Sequence, residues 1–270
     1  MLLKNYKKLF FLKVVFLAIW FALFFLLNSY TSSDISQEYN NNLVFILDVS
    51  HSMNVQDCEN KYWVPITRLA LAKKIISKQM EIYDKYRYWL ILFAGTANYY
   101  LPPTLDKDNF LLYLNNLNTG LLPAWGTNIY WWIKTFLDSD WQDSSAVMLT
   151  DWWDNSDFAT QKNNIENLIQ KTKNFKDFYI IGVGTQEWGM VKYPNGEVLN
   201  MSGNIIKSSV NISVLQNLSK ILHTPYIKID NERNIKPFLI ITKQPNSFQI
   251  SDTHRTVIEL IWSLFIIFGI

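Results

Sequence analysis

A single cysteine, Cys58, is the only thiol in this 270-residue chain. One thiol excludes an intramolecular disulfide and a cysteine-built zinc site, and Cys58 reads as a small loop residue. An excess of either charge is also missing. The 25 Lys and Arg residues stand against 23 Asp and Glu, a net charge of +2, which gives nucleic acid no electrostatic footing. Histidine occurs only at His51, His223 and His254. The Gly-x-Ser-x-Gly turn of a serine hydrolase is absent, and so is the phosphate-cradling Walker A loop. The sequence has no internal repeat.

What it does have is aromatic side chains and two apolar ends. Aromatics make up 16% of the chain, with 11 Trp. Lys4, Lys7 and Lys8, in a basic segment 1–8, precede an apolar run from Leu9 to Leu27 broken only by Lys13. Nineteen residues at a rise of about 1.5 Å nearly match a hydrocarbon core of about 30 Å. The run therefore reads as a transmembrane helix, with Lys13 able to snorkel. A cleaved signal peptide fits less well, because the run is long and Asn28-Ser29-Tyr30-Thr31 lacks a small-x-small cleavage site. Basic residues before the span and Asp34 and Glu38 after it put the N-terminus in the cytoplasm, with the bulk of the chain outside the cytoplasmic membrane. Thr256–Ile270 is a second apolar stretch with one charge, Glu259. It reads as a second membrane segment, either a short returning helix or a span cut short.

Between these ends, residues 28–42 read as a polar tether, 43–230 as the folded domain and 231–255 as a connector. Buried apolar runs at Leu43–Leu47, Trp89–Phe93, Ala146–Leu149, Phe178–Val183 and Tyr226–Ile229 predict strands. Asn98–Leu101 reads as a short edge strand ahead of Pro102-Pro103. Helical spacing covers Thr67–Tyr83, with Lys73, Lys74 and Lys78 towards solvent. It recurs at Asp108–Leu117, Thr127–Leu137, Thr160–Lys171 and Ile212–Leu222. Val191–Val198 reads as a hairpin turning on Asn195-Gly196. Alternating strands and helices predict an α/β fold with a doubly wound, mostly parallel sheet flanked by helices. In such sheets ligands sit beyond the carboxyl ends of the strands.

That rule selects one constellation. Asp48, Ser50 and Ser52 leave the end of the first strand together, Asp151 closes a later strand, and the Gly126-Thr127 loop reaches the same edge. Carboxylates and hydroxyls are hard oxygen donors, a set that suits a divalent cation such as Mg²⁺. His51 lies between the serines, and alternation turns it away from them.

The order of these features resembles the von Willebrand factor A domain. That family carries a metal-ion-dependent adhesion site of Asp-x-Ser-x-Ser, a distant Thr and a more distant Asp. The matching residues here are Asp48, Ser50, Ser52, Thr127 and Asp151. The resemblance implies Mg²⁺ or Mn²⁺ at this site, completed by a carboxylate from a protein partner. Phe93-Ala94-Gly95-Thr96-Ala97, Leu122-Pro123 before Gly126-Thr127, Leu149-Thr150-Asp151 and Ile181-Gly182-Val183-Gly184-Thr185 resemble the prokaryotic Bat-type proteins, which hold the domain between membrane helices. Those proteins are associated with MoxR-type AAA+ ATPases, so the resemblance implies a role in protein assembly or stress tolerance, alongside such an ATPase or other proteins of the same fold. Trp152 stands where the family usually has Gly.

Trp125, Trp152 and Trp153 lie within two residues of Thr127 or Asp151. Trp is enriched at interaction hot spots, and the expectation is an aromatic collar of Trp125 and Trp152, with Trp153 beside them, that engages the partner. Trp131 and Trp132 fall in the next helix, at least one of them in the core. The rival reading is a metal-dependent phosphatase using Asp48 as nucleophile. Its chemistry needs a second Asp two residues on as acid and base, and that position is Ser50. A third is a structural domain with an empty site. The favoured reading is a non-enzymatic, membrane-anchored interaction module.

Overall fold

The computed structural model describes residues 13, 42–84, 86–122, 126–138, 144–152, 162–167 and 177–238. The apolar segments 9–27 and 256–270 lie outside the described residues, apart from Lys13, which is helical. Among the described residues no helix is long and apolar enough to cross a membrane.

Strand β1 (Asn42–Asp48) carries the continuous apolar run, and Leu43 to Leu47 have no exposed surface. A strand covered on both faces has no polar side to alternate with, which is why its sequence is uniformly apolar. Five further strands complete the main sheet: β2 (Arg87–Phe93), β3 (Ala97–Thr104), β4 (Ser145–Thr150), β5 (Phe178–Val183) and β6 (Tyr226–Ile229). Their order is β6-β5-β4-β1-β2-β3. All neighbours are parallel except the edge pair β2 and β3. The edge strand β3 runs straight through Pro102 and Pro103, where the sequence predicts an end, with register shifts against β2. An edge strand tolerates proline because one row of its backbone groups has no ladder to join.

Four helices are bounded among the described residues: α1 (Arg68–Ile82), α2 (Lys107–Asn115), α3 (Ile129–Leu137) and α4 (Ile212–Leu222). The N-cap side chains of Thr67, Asp106 and Asn211 accept the amides of Ala70, Asn109 and Val214, satisfying donors that a helix start leaves open. Residues 162–167 are also helical, inside the stretch where a helix is predicted. Lys73, predicted to face solvent, instead donates to the carbonyls of Asn115 and Leu117 at 2.8 and 2.6 Å. A cation there meets the negative end of α2.

One face of the sheet packs its core on α3 and α4. Trp132 has no exposed surface and stacks on Phe178, ring centroids 5.6 Å apart and ring planes nearly parallel. Its neighbour Trp131 is 44% exposed. Trp152 belongs to the same core, at 1% exposure, with Phe93, Trp132, Ile165 and Leu215 in the cluster. The Trp152 part of the aromatic collar is therefore corrected: this ring is core and presents nothing to a partner. Trp125 and Trp153 lie outside the described residues.

The segment between β5 and α4 is built from small hairpins. Gly189–Met190 pairs with Lys207–Ser208, and Asn200–Met201 with Asn204–Ile205. The second turns on Ser202 and Gly203, both at positive φ, the conformation that tight hairpin turns demand. Asn195-Gly196 also turns as expected, with an isolated bridge between Lys192 and Val198. Val191 and Leu199 bury against Val55, and Asn54 donates to the carbonyls of Lys192 and Tyr193. The segment is thus seated on the turn that follows β1.

Beyond β6 the chain stays attached. Gln79 of α1 is fully buried, donates to the carbonyl of Lys236 and accepts from the amide of Phe238. A buried amide side chain needs such partners, so residues 231–238 pack onto the domain instead of beginning a free connector.

Candidate metal centre

The chain enters β1, crosses to β2 on one side, and later returns to β4 on the other, so the carboxyl end of β1 lies at a switch point of the sheet. There neighbouring connections diverge and leave a crevice. Asp48 is the last residue of β1, and Asp151 directly follows β4, the strand beside it. Both carboxylates are fully buried.

Hydrogen bonds join four of the five predicted ligands. Ser50 and Ser52 have their hydroxyls 3.0 Å apart, and Ser52 Oγ donates to Asp151 Oδ1 at 3.0 Å. The amide of Ser50 donates to Asp48 Oδ1 at 2.9 Å. Thr150 Oγ1 donates to Asp48 Oδ2 at 2.5 Å and accepts the amide of Trp152. The serines sit in a buried 3-10 turn, His51–Asn54, opened by Ser50. Thr127, the fifth, is buried at the same edge. Its neighbour Asn128 donates its amide to the carbonyl of Ala94, just past β2, while Val49 donates to Phe93. No hydrogen bond described in the structure ties Thr127 itself to the other four. His51 points elsewhere: its ring meets Tyr193 edge-on, and an added Cβ on Gly120 would stand 2.6 Å from its Cε1.

The residues that sequence reasoning missed stand behind the site. Arg68, the first residue of α1, has no exposed surface. Its Nη1 meets Asp151 Oδ2 at 2.5 Å, and its Nη2 meets Asp57 Oδ2 at 2.7 Å. Asp57 also accepts the amide and hydroxyl of Thr185. A cation in the first helical turn opposes the helix dipole, and α1 has no acidic residue there. That misfit was the one signal available in the sequence. Cys58 is buried in a two-residue strand, not a loop, and burial pushes its thiol pKa up.

Electrostatics favour a cation. Asp57 and Asp151 share one guanidinium, and Asp48 beside them has no cationic partner among the described residues. Burial, and next the charge of Asp151, push Asp48 up to about 7. Burial raises Asp151 too, against the opposing pull of Arg68. Arg68 stays charged, because Asp151 and Asp57 outweigh the cost of its burial. Among the described residues no group of three His, Cys, Asp or Glu gathers to hold a metal. The other oxygens at this site belong to neutral hydroxyls, a donor set that fits a hard cation such as Mg²⁺. Thr119 Oγ1 and Asn128 Oδ1 are buried without a hydrogen-bond partner among the described residues. Both lie in loops at this rim, Gly120 donating to Val49 and Asn128 to Ala94.

A pH dependence follows. Asp48 binds its proton more tightly in the folded protein than in the unfolded chain. Its contribution to stability is therefore fully present below about pH 4, falls as pH rises, and levels off near 7. A cation must displace that proton. The apparent affinity for Mg²⁺ is expected to weaken about tenfold per unit below pH 7, measured as the Mg²⁺-dependent rise in melting temperature at pH 5.5, 6.5 and 8.0.

The family model for the von Willebrand factor type A domain matches residues 43–138. Two solved structures share the fold, each with a TM-score of 0.58 and 23% identity. The first, the conserved hypothetical protein BatB from Bacteroides thetaiotaomicron, is matched over 71% of this chain and 91% of its own. The second is an aerotolerance-related membrane protein from Bacteroides fragilis carrying multiple mutations to serine, with 72% of this chain and 93% of its own covered. No curated protein matches the chain.

Proposed function

From a chain whose residues 43–138 match the von Willebrand factor type A domain, we propose that it is a divalent-metal-dependent protein-interaction module that captures an acidic group of a partner protein. The observation that carries this reading is the buried oxygen cluster, in which Asp48 and Asp151 meet Ser50 and Ser52 and Asp48 has no cationic partner among the described residues. Asp48, Ser50, Ser52, Thr127 and Asp151 would hold Mg²⁺ or Mn²⁺. When bound, such a cation supplies an electrophilic centre able to take a carboxylate oxygen from outside.

The chain's own residues do the rest. Three hydroxyls donate oxygen without adding charge, so the cluster does not saturate the cation's attraction for a further anion. Asp48 is fixed by Ser50 N and Thr150 Oγ1, which keeps its oxygens in place before binding. Ser50 sits where a phosphatase of the aspartate-nucleophile type needs its proton donor, and a serine hydroxyl is a poor acid at neutral pH. Capture at this cluster therefore needs no bond-breaking step.

The apolar run 9–27, with lysines before it, supports a membrane anchor that puts the domain on the outer face of the cytoplasmic membrane. A membrane-held capture module of the Bat type fits a partner in an assembly or stress-tolerance complex, including one built around a MoxR-type AAA+ ATPase. Affinity capture from detergent-solubilised membranes, with Mg²⁺ or with EDTA, tests the reading. A protein retained with Mg²⁺ and released by EDTA is expected, and it should be lost with Asp48→Ala. Metal-independent capture, or Mg²⁺-dependent hydrolysis of a generic phosphate ester that disappears in Asp48→Ala, would count against it.

A further inference from the structure

Arg68 carries its charge with no exposed surface, and all three of its nitrogens are occupied. Nε and Nη2 grip Asp57, at 3.0 and 3.1 Å and at 2.7 Å. Nη1 divides between Asp151 Oδ2 at 2.5 Å and Ser208 Oγ at 2.8 Å, and Nη2 reaches the Ser208 carbonyl at 3.2 Å. Main chain walls it in. Gly184 has φ +121°, and a Cβ there would stand 2.5 Å from Arg68 Nε. The guanidinium is planar and its donors are fixed relative to one another, so with Asp57 and Ser208 in place it has one position to take.

The consequence falls on the carboxylates. Asp48 has Oδ1 engaged by Ser50 N and Oδ2 by Thr150 Oγ1. Asp151 has Oδ2 engaged by Arg68 and Oδ1 by Ser52 Oγ. A serine hydroxyl rotates freely and serves as donor or acceptor, so Asp151 Oδ1 is released when Ser52 turns. Asp151 Oδ2 keeps one lone pair committed to Arg68, which has only donors and no freedom to leave, so Oδ2 is the weaker of the two oxygens towards a cation. Ca²⁺ takes six to eight oxygens and favours bidentate carboxylates, whereas Mg²⁺ is content with one oxygen from each carboxylate and retains water.

We propose that Arg68 is a positioning residue that selects the cation: by holding Asp151 Oδ2 it biases Asp151 towards binding through Oδ1 alone and so disfavours Ca²⁺ against Mg²⁺. This rests on the reading of the cluster as a divalent-cation site.

The test titrates Mg²⁺ and, separately, Ca²⁺ into the EDTA-stripped full chain in detergent, by calorimetry at pH 7.5. Wild type is compared with Arg68→Gln and with the double variant Asp57→Asn/Arg68→Gln. The double variant removes one positive and one negative charge together, so the net charge of the cluster is unchanged and folding is less at risk. Wild type should bind Mg²⁺ more tightly than Ca²⁺. In each variant that folds, the ratio of the Ca²⁺ to the Mg²⁺ dissociation constant should fall about tenfold or more, because Ca²⁺ gains a second Asp151 oxygen. An unchanged ratio, including a parallel loss of both affinities, would make Arg68 merely structural and overturn the proposal. Tighter Ca²⁺ than Mg²⁺ binding by wild type would overturn it without any variant while sparing the metal site. Binding of neither ion by wild type would overturn both.

Discussion

Asp48→Asn is expected to stabilise the metal-free protein at pH 8 and to abolish Mg²⁺ binding. Asp48 is fully buried and its carboxyl is pushed up to about 7, first by burial and then by Asp151. At pH 8 the folded protein therefore bears the cost of ionising it, on the order of a few kcal/mol for a shift of this size. Asparagine has the same shape without the charge. Its oxygen keeps the bond from Ser50 N, and its amide donates to Thr150 Oγ1, reversing the direction of the present bond. Removing the carboxylate also removes a proposed ligand, the one that has no cationic partner among the described residues. Chemical denaturation in EDTA at pH 8 should show the variant more stable than wild type, and the difference should vanish towards pH 4, where both side chains are neutral. In saturating Mg²⁺ the order should reverse, because only wild type is stabilised by ligand. A variant less stable than wild type in EDTA at pH 8 would contradict the placement of Asp48 as an ionisable group without a cation.

Trp152→Ala carries the other large effect. The indole is 1% exposed and packs in the cluster with Phe93, Trp132, Ile165 and Leu215. Truncating it leaves a cavity next to β4, and Trp→Ala changes in cores cost about 3–5 kcal/mol. For a domain of ordinary stability this is a large part of the total. Trp131→Ala is the contrast, since Trp131 is 44% exposed, and its effect should stay within about 0.5 kcal/mol. Urea denaturation in saturating Mg²⁺ compares the two. Equal, small losses would return Trp152 to the surface, where a collar would put it.

The strands and helices were largely legible because their patterns are local. Leu43–Leu47 is a run that only a two-sided burial explains, and Ile212–Leu222 shows the helical spacing that α4 adopts. The four linked site residues were legible for a different reason. Asp48, Ser50, Ser52 and Asp151 are of one chemical kind and stand at strand ends, and a parallel sheet brings its strand ends to one edge.

Arg68 was not legible. Its partners Asp57 and Asp151 stand eleven residues before it and 83 after it, and a basic residue at a helix start reads as solvated. Trp152 failed through proximity: adjacent to Asp151 in sequence, it belongs to the core and not to the rim. Pro102 and Pro103 argued for a strand end by their missing amides, and the edge position of β3 made those amides unnecessary. In each case the sequence carries the residue's chemistry, and only the fold says which neighbour meets it.

The central claim is that this buried cluster is a divalent-cation site. Calorimetric titration of Mg²⁺ into the EDTA-stripped full chain in detergent at pH 7.5 tests it most directly, with Asp48→Asn run alongside. The expected result is a saturable isotherm with one ion per chain in wild type and no saturable heat in the variant. Absence of saturable heat in wild type, or the same isotherm in both proteins, would contradict it.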